Sequence, residues 1–274
     1  MNYTELYEQI KIKKSFLCVG LDSDIAKLPP HFSSFKEPIF EFNREIIDAT
    51  AQYTIAYKPN LAFYESAGAE GFAQLKKSAE YIKEKYPNIF LIADAKRGDI
   101  GNTANQYAKA FFDIMPFDAV TLSPYMGGDS ITPFLQYKDK WAIILALTSN
   151  KSAEDFETLR VSNENDKPYL FEKVINKTKE LGDINNIMYV VGATRPEQLS
   201  EVRKIIPEHF LLVPGVGAQG GTVEQVAQMA YNTNCGLIVN SSRGIIFADS
   251  SKDFAKVANE KAFDLQQQMV KFIK

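Results

Sequence analysis

The sequence predicts an α/β protein built as a (β/α)8 TIM barrel, a single domain over residues 1–274 with an insertion after strand 5. Three observations carry this reading. Short uninterrupted apolar runs recur eight times, and amphipathic stretches with helical spacing lie between most of them. The mean repeat is about 31 residues, as expected when about 250 residues are shared among eight βα units. Runs without polar alternation suit strands covered on both faces, as in a parallel sheet under helices. A doubly wound open sheet has the same strand count and stands as the alternative.

In chain order the runs are Phe16 to Leu21, Tyr53 to Tyr57, Ile89 to Ala93, Ala119 to Leu122, Trp141 to Leu147, Met188 to Val191, Phe210 to Val213 and Leu237 to Val239. Phe72, Leu75, Ala79 and Ile82 form one helical face before the third run. Ala104, Tyr107, Ala108, Phe111 and Phe112 form another after it. Pro196 and Thr222 mark helix starts, and Asp253 to Ile273 reads as a closing helix. One spacing is anomalous. Ser149 to Asn186 is long and polar and contains Ser162-Asn-Glu-Asn-Asp-Lys-Pro168. It reads either as a tolerated surface insertion or as a loop that covers a site at the strand ends.

Composition narrows the function. With 31 Lys plus Arg against 34 Asp plus Glu, the net charge is −3, which gives no global attraction for nucleic acid. The start of the chain has no apolar signal core, and no run approaches a bilayer span, so a soluble cytoplasmic protein without membrane contact is expected. Cys18 and Cys235 lie in apolar runs and read as buried thiols in a reducing compartment. Only two histidines are present, His31 and His209. Most His-based zinc sites are thereby excluded, a Ser-His-Asp triad has almost nothing to work with, and acid–base chemistry falls to Lys, Asp and Glu.

Barrel enzymes carry their catalytic groups at the C-terminal ends of strands. Several runs here stop abruptly at polar groups: Asp22, Lys58, Asp94, Thr148-Ser149-Asn150, Pro214-Gly215 and Asn240-Ser241-Ser242-Arg243. The densest cluster is Asp94-Ala-Lys96-Arg-Gly-Asp99. Residues two apart in a strand share a face, so Asp94 and Lys96 point to the barrel mouth together, with Lys58 beside them from the neighbouring strand. Two ammoniums and two carboxylates then alternate in one pocket. Buried ion pairs are weak stability devices, so charges placed this way are better explained by action on a ligand. The loops after runs seven and eight, Gly215-Val-Gly-Ala-Gln-Gly-Gly221 and Ser241-Ser-Arg-Gly244, fall where such barrels hold phosphate. Their glycines let backbone N–H groups approach an anion, and Arg243 can bond two phosphate oxygens at once.

With these residues in view, the chain resembles the orotidine 5′-phosphate decarboxylase family, in its longer bacterial (type 2) subgroup. The matching motifs are Val19-Gly-Leu-Asp22, Lys58-Pro-Asn-Leu-Ala-Phe-Tyr-Glu65, Asp94-Ala-Lys-Arg-Gly-Asp-Ile-Gly-Asn-Thr103, Thr121-Leu-Ser-Pro-Tyr125, Thr148-Ser-Asn150, Val190-Val-Gly-Ala-Thr194, Pro214-Gly-Val-Gly-Ala-Gln-Gly-Gly221 and Ser242-Arg243. The Asp-x-Lys-x-x-Asp motif belongs to a wider superfamily of sugar-phosphate decarboxylases and aldolases. The longer Asp-Ala-Lys-Arg-Gly-Asp-Ile string and the Gly-Ala-Gln-Gly-Gly loop favour the orotidylate branch.

The resemblance implies decarboxylation of orotidine 5′-monophosphate to UMP and CO2, the last step of de novo pyrimidine synthesis, with no metal or organic cofactor. It implies Lys96 as proton donor to C6 within a Lys58/Asp94/Lys96/Asp99 network. Asp22 and Thr103 would bind ribose hydroxyls and Ser149 the pyrimidine edge. Gln219 and Arg243 would hold the phosphate, with Pro214 and Ser242 completing the substrate-binding set. A homodimer is implied, with Asp99 and Thr103 reaching into the partner's site. The alternatives are a metal-dependent sugar-phosphate decarboxylase or aldolase, and a non-catalytic nucleotide-binding barrel.

Overall fold

A computed structural model describes residues 1–161, 167–194, 196–217 and 220–273. Eight parallel strands close into a barrel in sequence order: β1 (Leu17–Leu21), β2 (Ala56–Pro59), β3 (Phe90–Arg97), β4 (Ala119–Leu122), β5 (Trp141–Leu147), β6 (Ile187–Val191), β7 (Leu211–Pro214) and β8 (Leu237–Ser241). Closure runs through the β1–β8 pair, where Cys18 lies opposite Asn240. This settles the barrel against the open sheet. Every residue of β1, β2, β4, β6 and β8 is buried, as uninterrupted apolar runs require.

The helices are α1 (Tyr3–Lys13), α2 (Pro38–Thr50), α3 (Leu61–Glu65), α4 (Gly68–Lys85), α5 (Gly101–Lys109), α6 (Leu170–Thr178), α7 (Pro196–Ile205), α8 (Val223–Ala230), α9 (Arg243–Ile246) and α10 (Phe254–Val270). The face predicted for α4 buries Leu75, Ala79 and Ile82. Beyond α5 the chain continues in a π-helical turn, Ala110–Ile114, which buries Phe111 and Phe112. Thr222 caps α8 through a reciprocal capping box with Gln225. Among the described residues no helix is long and apolar enough to cross a membrane.

Three readings shift. The second strand starts at Ala56 rather than Tyr53 and runs through Lys58 to Pro59. Residues Ala51 to Tyr53 instead form the turn that ends α2. The third strand continues past its apolar run to Arg97, because its charged end remains paired to β4. The long segment after β5 is not wholly an insertion: it contains α6, the barrel helix of that unit, whose Phe171 and Ile175 are buried. The extra chain precedes α6. It is pinned to the strand end by Glu157, whose carboxylate accepts the Thr148 N–H at 2.6 Å and the Thr148 hydroxyl at 2.8 Å. Residues 162–166 of this segment lie outside the described residues.

Candidate active site

The mouth of the barrel is built where β2, β3 and β4 meet. Lys58 Nζ lies 2.7 Å from Asp94 Oδ2, and Lys96 Nζ lies 2.6 Å from Asp94 Oδ1. One carboxylate therefore bridges two ammoniums. Their exposures differ: the Lys58 side chain is 6% exposed and that of Lys96 is 50% exposed. Lys58 is a buried brace, whereas Lys96 presents its ammonium to the open mouth.

The electrostatics follow from this geometry. Burial opposes the charge on Asp94, but the ammonium of Lys58, then that of Lys96, outweighs it and holds the carboxyl well below the usual range. Burial likewise opposes the charge on Lys58. Asp94, then Asp22, overcomes it and raises the ammonium above its ordinary value. Both groups stay charged at neutral pH. Beneath them the Cys18 thiol contacts Asn240 Oδ1 at 3.4 Å, and burial pushes it up to about 12, so it stays protonated. Cys18 and Cys235 are both buried free thiols.

Asp94 and Lys96 share a pocket as expected, but not through regular strand alternation. Ala93 pairs with Val120 and Arg97 with Leu122, so three residues of β3 oppose the single residue Thr121 on β4. Lys96 sits within this bulge at φ +47°, in the left-handed region. A non-glycine residue there costs about 1–2 kcal/mol, and such strain collects at functional sites. Bulges beside active sites re-aim side chains, which is the effect on Lys96 here.

The other predicted residues fall into three groups. Asp22, at the end of β1, has a buried Oδ1 with no hydrogen-bond partner among the described residues, which leaves it open to a hydroxyl donor. Ser149, after β5, lies against the backbone of Gly192 at the end of β6. Pro214 ends β7, and Ser242 follows β8 with its hydroxyl donating to Gly20 O at 3.1 Å. Arg243 opens α9 and is exposed, with no ion pair among the described residues. The loop between β7 and α8 turns tightly: Gly217 N–H donates to Gly221 O at 2.9 Å, and Gly217 has φ +84°, a conformation a side chain would strain. Gln219 lies outside the described residues.

Asp99 and Thr103 stand apart. Asp99 Oδ1 accepts the Ile100 N–H at 2.8 Å and does not join the Lys58–Asp94–Lys96 cluster of its own chain. Thr103 is exposed on α5. The four-membered network read from the sequence is therefore three-membered within one chain. Thr121 joins the site as a residue to which its motif alone assigns no role. Its signal was a hydroxyl in the otherwise apolar strand Ala119-Val-Thr-Leu122, opposite the charged end of β3.

Fold and site define a barrel with a carboxylate–ammonium cluster at its mouth, a glycine-rich turn after β7 and an exposed arginine after β8. The sequence pattern of the orotidine 5′-phosphate decarboxylase / HUMPS family matches residues 15–257. The orotidine 5′-phosphate decarboxylase of Phocaeicola vulgatus is 56% identical over 273 residues, covering 100% of this chain and 99% of that one. That of Bacteroides fragilis is 55% identical over 274 residues, again covering 100% and 99%. Among solved structures, Leishmania donovani OMP decarboxylase superposes with a TM-score of 0.79 at 35% identity, covering 97% of this chain and 100% of that one. This chain belongs to the orotidine 5′-phosphate decarboxylase / HUMPS family.

Proposed function

We propose that Lys96 is the group that makes this chain an orotidine 5′-phosphate decarboxylase. The reaction removes CO2 from orotidine 5′-monophosphate and yields UMP, a step of pyrimidine biosynthesis. The observation that carries the residue assignment is the half-exposed Lys96 ammonium held 2.6 Å from a carboxylate that stays ionised.

In this reading the C6–carboxylate bond breaks and its electron pair stays on C6. The Lys96 ammonium, placed in advance of the charge, stabilises the carbanion and then donates its proton to C6. Water returns a proton to the lysine. Asp94 faces the departing carboxylate. Two like charges about 4 Å apart at an effective dielectric near 20 repel by about 4 kcal/mol, a repulsion relieved as CO2 leaves. Lys58 keeps Asp94 in place from below. The orphaned Asp22 oxygen takes a ribose hydroxyl, Ser149 the pyrimidine edge, and Arg243 with Gln219 the phosphate, beside Pro214 and Ser242. Phosphate binding, remote from the reacting carbon, then helps to order the site.

The active unit in this reading is a cytoplasmic homodimer in which Asp99 and Thr103 serve the partner's site. Two features support it: Asp99 is unused by its own cluster, and Ile100, Tyr125 and Met126 expose apolar surface near the ends of β3 and β4.

The test is loss of orotidylate absorbance with excess chelator present. Turnover under chelator supports the reading. Turnover only after metal is restored points to the metal-dependent relatives, and UMP binding without turnover points to a non-catalytic barrel.

A further inference from the structure

We propose that Thr121 is a positioning residue for this chemistry: its hydroxyl holds the β3 bulge in the one shape that brings Asp94 and Lys96 together. The inference rests on the decarboxylase reading above. The bulge takes three residues of β3 out of the ladder opposite Thr121, because four residue steps from Ala93 to Arg97 run beside two from Val120 to Leu122. A ladder cannot satisfy the backbone of such a segment, and a buried N–H left unpaired is costly. Thr121 supplies what the ladder lacks. Its Oγ1 accepts the Lys96 backbone N–H at 3.0 Å and donates its own proton to Asp94 Oδ1 at 3.1 Å.

That one oxygen ties the backbone of the proton donor to the carboxylate the donor is paired with. The same Asp94 oxygen receives Lys96 Nζ at 2.6 Å, so backbone, side chain and carboxylate of the pair are fixed against a residue that is 1% exposed. On the far side, Arg97 Nη1 donates to Ala95 O at 3.0 Å, and Ser123 N–H donates to Arg97 O at 2.7 Å, where regular pairing resumes. Thr121 thus hydrogen-bonds to both partners of the catalytic pair from the opposing strand. It reaches no substrate atom in this reading and acts through Asp94 and Lys96. A displacement of about 1 Å at a reacting group costs as much as a hundredfold in rate, so a positioning role of this kind is measurable.

The test compares Thr121→Val, which keeps the shape and removes the hydroxyl, with Thr121→Ser, which keeps the hydroxyl. Thr121→Ala stands in should the valine protein not fold. Expected are a fall in kcat of about ten- to a hundredfold for the valine variant with KM within about threefold, and restoration to within about threefold of wild type by serine. Exchange of the Lys96 amide hydrogen, read by mass spectrometry or NMR, should accelerate in the valine variant and not in the serine variant. Valine-variant kcat within about threefold of wild type, or equal losses for valine and serine, overturns the proposal while the decarboxylase reading stands. An inactive wild type overturns that reading and the catalytic part of this proposal together. In that case the amide exchange alone still decides whether Thr121 holds the bulge.

Discussion

Each end of the barrel shields a cation, fully at the mouth and partly at the other end, and the two treat it in opposite ways. At the mouth, Lys58 is paired with a carboxylate, and its ammonium is raised above the ordinary value. At the opposite end, Arg203 of α7 meets backbone oxygens. Nε donates to Ala230 O at 2.9 Å, Nη1 to Ile206 O and His209 O at 3.0 and 2.7 Å, and Nη2 to Gly236 O at 2.9 Å. Burial lowers Arg203 to about 10. Its acceptors close α7 and α8 and lead into β7 and β8, so the guanidinium fastens helix ends to strand starts. A cation among carbonyls serves the fold. A cation sharing a carboxylate with a second, solvent-facing cation is poised to act on a ligand.

The largest effect separating the two ends should come from Lys96→Ala. It removes both the proton donor and the charge at C6, so turnover should vanish while circular dichroism and the melting temperature stay near wild type. Substantial remaining turnover would take Lys96 out of the mechanism. Arg203→Met should do the reverse, since it strips several partly buried carbonyls of their donor. A loss of about 2–4 kcal/mol in denaturant unfolding is expected, with kcat per folded molecule unchanged.

Arg243→Ala lies between these extremes. A lost charge-assisted contact of about 1.5–3 kcal/mol lowers kcat/KM for orotidylate about ten- to a hundredfold. The phosphate-free nucleoside orotidine should be turned over equally poorly by mutant and wild type. Equal harm to both substrates would make Arg243 a structural residue of the β8 end.

The smallest effect concerns pH. Both ring nitrogens of His209 are buried without a hydrogen-bond partner among the described residues, and burial, then the Arg203 charge, lowers the imidazole to about 4. The unfolded chain, with an ordinary histidine near 6.5, binds more protons than the folded one between these values. Stability is therefore complete above about pH 6.5 and is lost as pH falls toward about 4. The ring is only partly buried and solvent screens it, so the contribution is about 1–2 kcal/mol. His209→Phe should flatten this part of the stability–pH curve, and an unchanged slope would assign it to other groups.

The barrel was legible because strands buried on both faces write themselves as apolar runs. Ala119 to Leu122 and Trp141 to Leu147 match their strands residue for residue. Tyr53 falls outside β2 because residues 51–53 complete the turn that ends α2, where the Tyr53 ring packs on Phe263 of α10. Lys58, Asp94 and Lys96 were legible because a charge that ends a buried strand has few other uses. The bulge was hidden, since no residue pattern announces φ +47° at a lysine, and the bond network of Thr121 exists only after two strands pair. Asp99 shows a different limit: its sequence neighbours place it beside the cluster, but the turn after β3 carries its carboxylate to the Ile100 amide.

The central claim is that the charges at the mouth are kept for chemistry rather than for stability. Replacing them together, as Lys58→Met, Asp94→Leu and Lys96→Met in one protein, removes the three charges of the cluster and leaves only the part-exposed Asp22, whose charge acts on Lys58, without its neighbouring cation. Well-packed apolar replacements of buried ion pairs are often neutral or stabilising by about 1–4 kcal/mol. Denaturant unfolding of this triple variant should give a stability equal to or above wild type, with no orotidylate turnover. A loss of more than about 3 kcal/mol in a correctly folded triple variant would show that the cluster holds the barrel together, and would contradict the account.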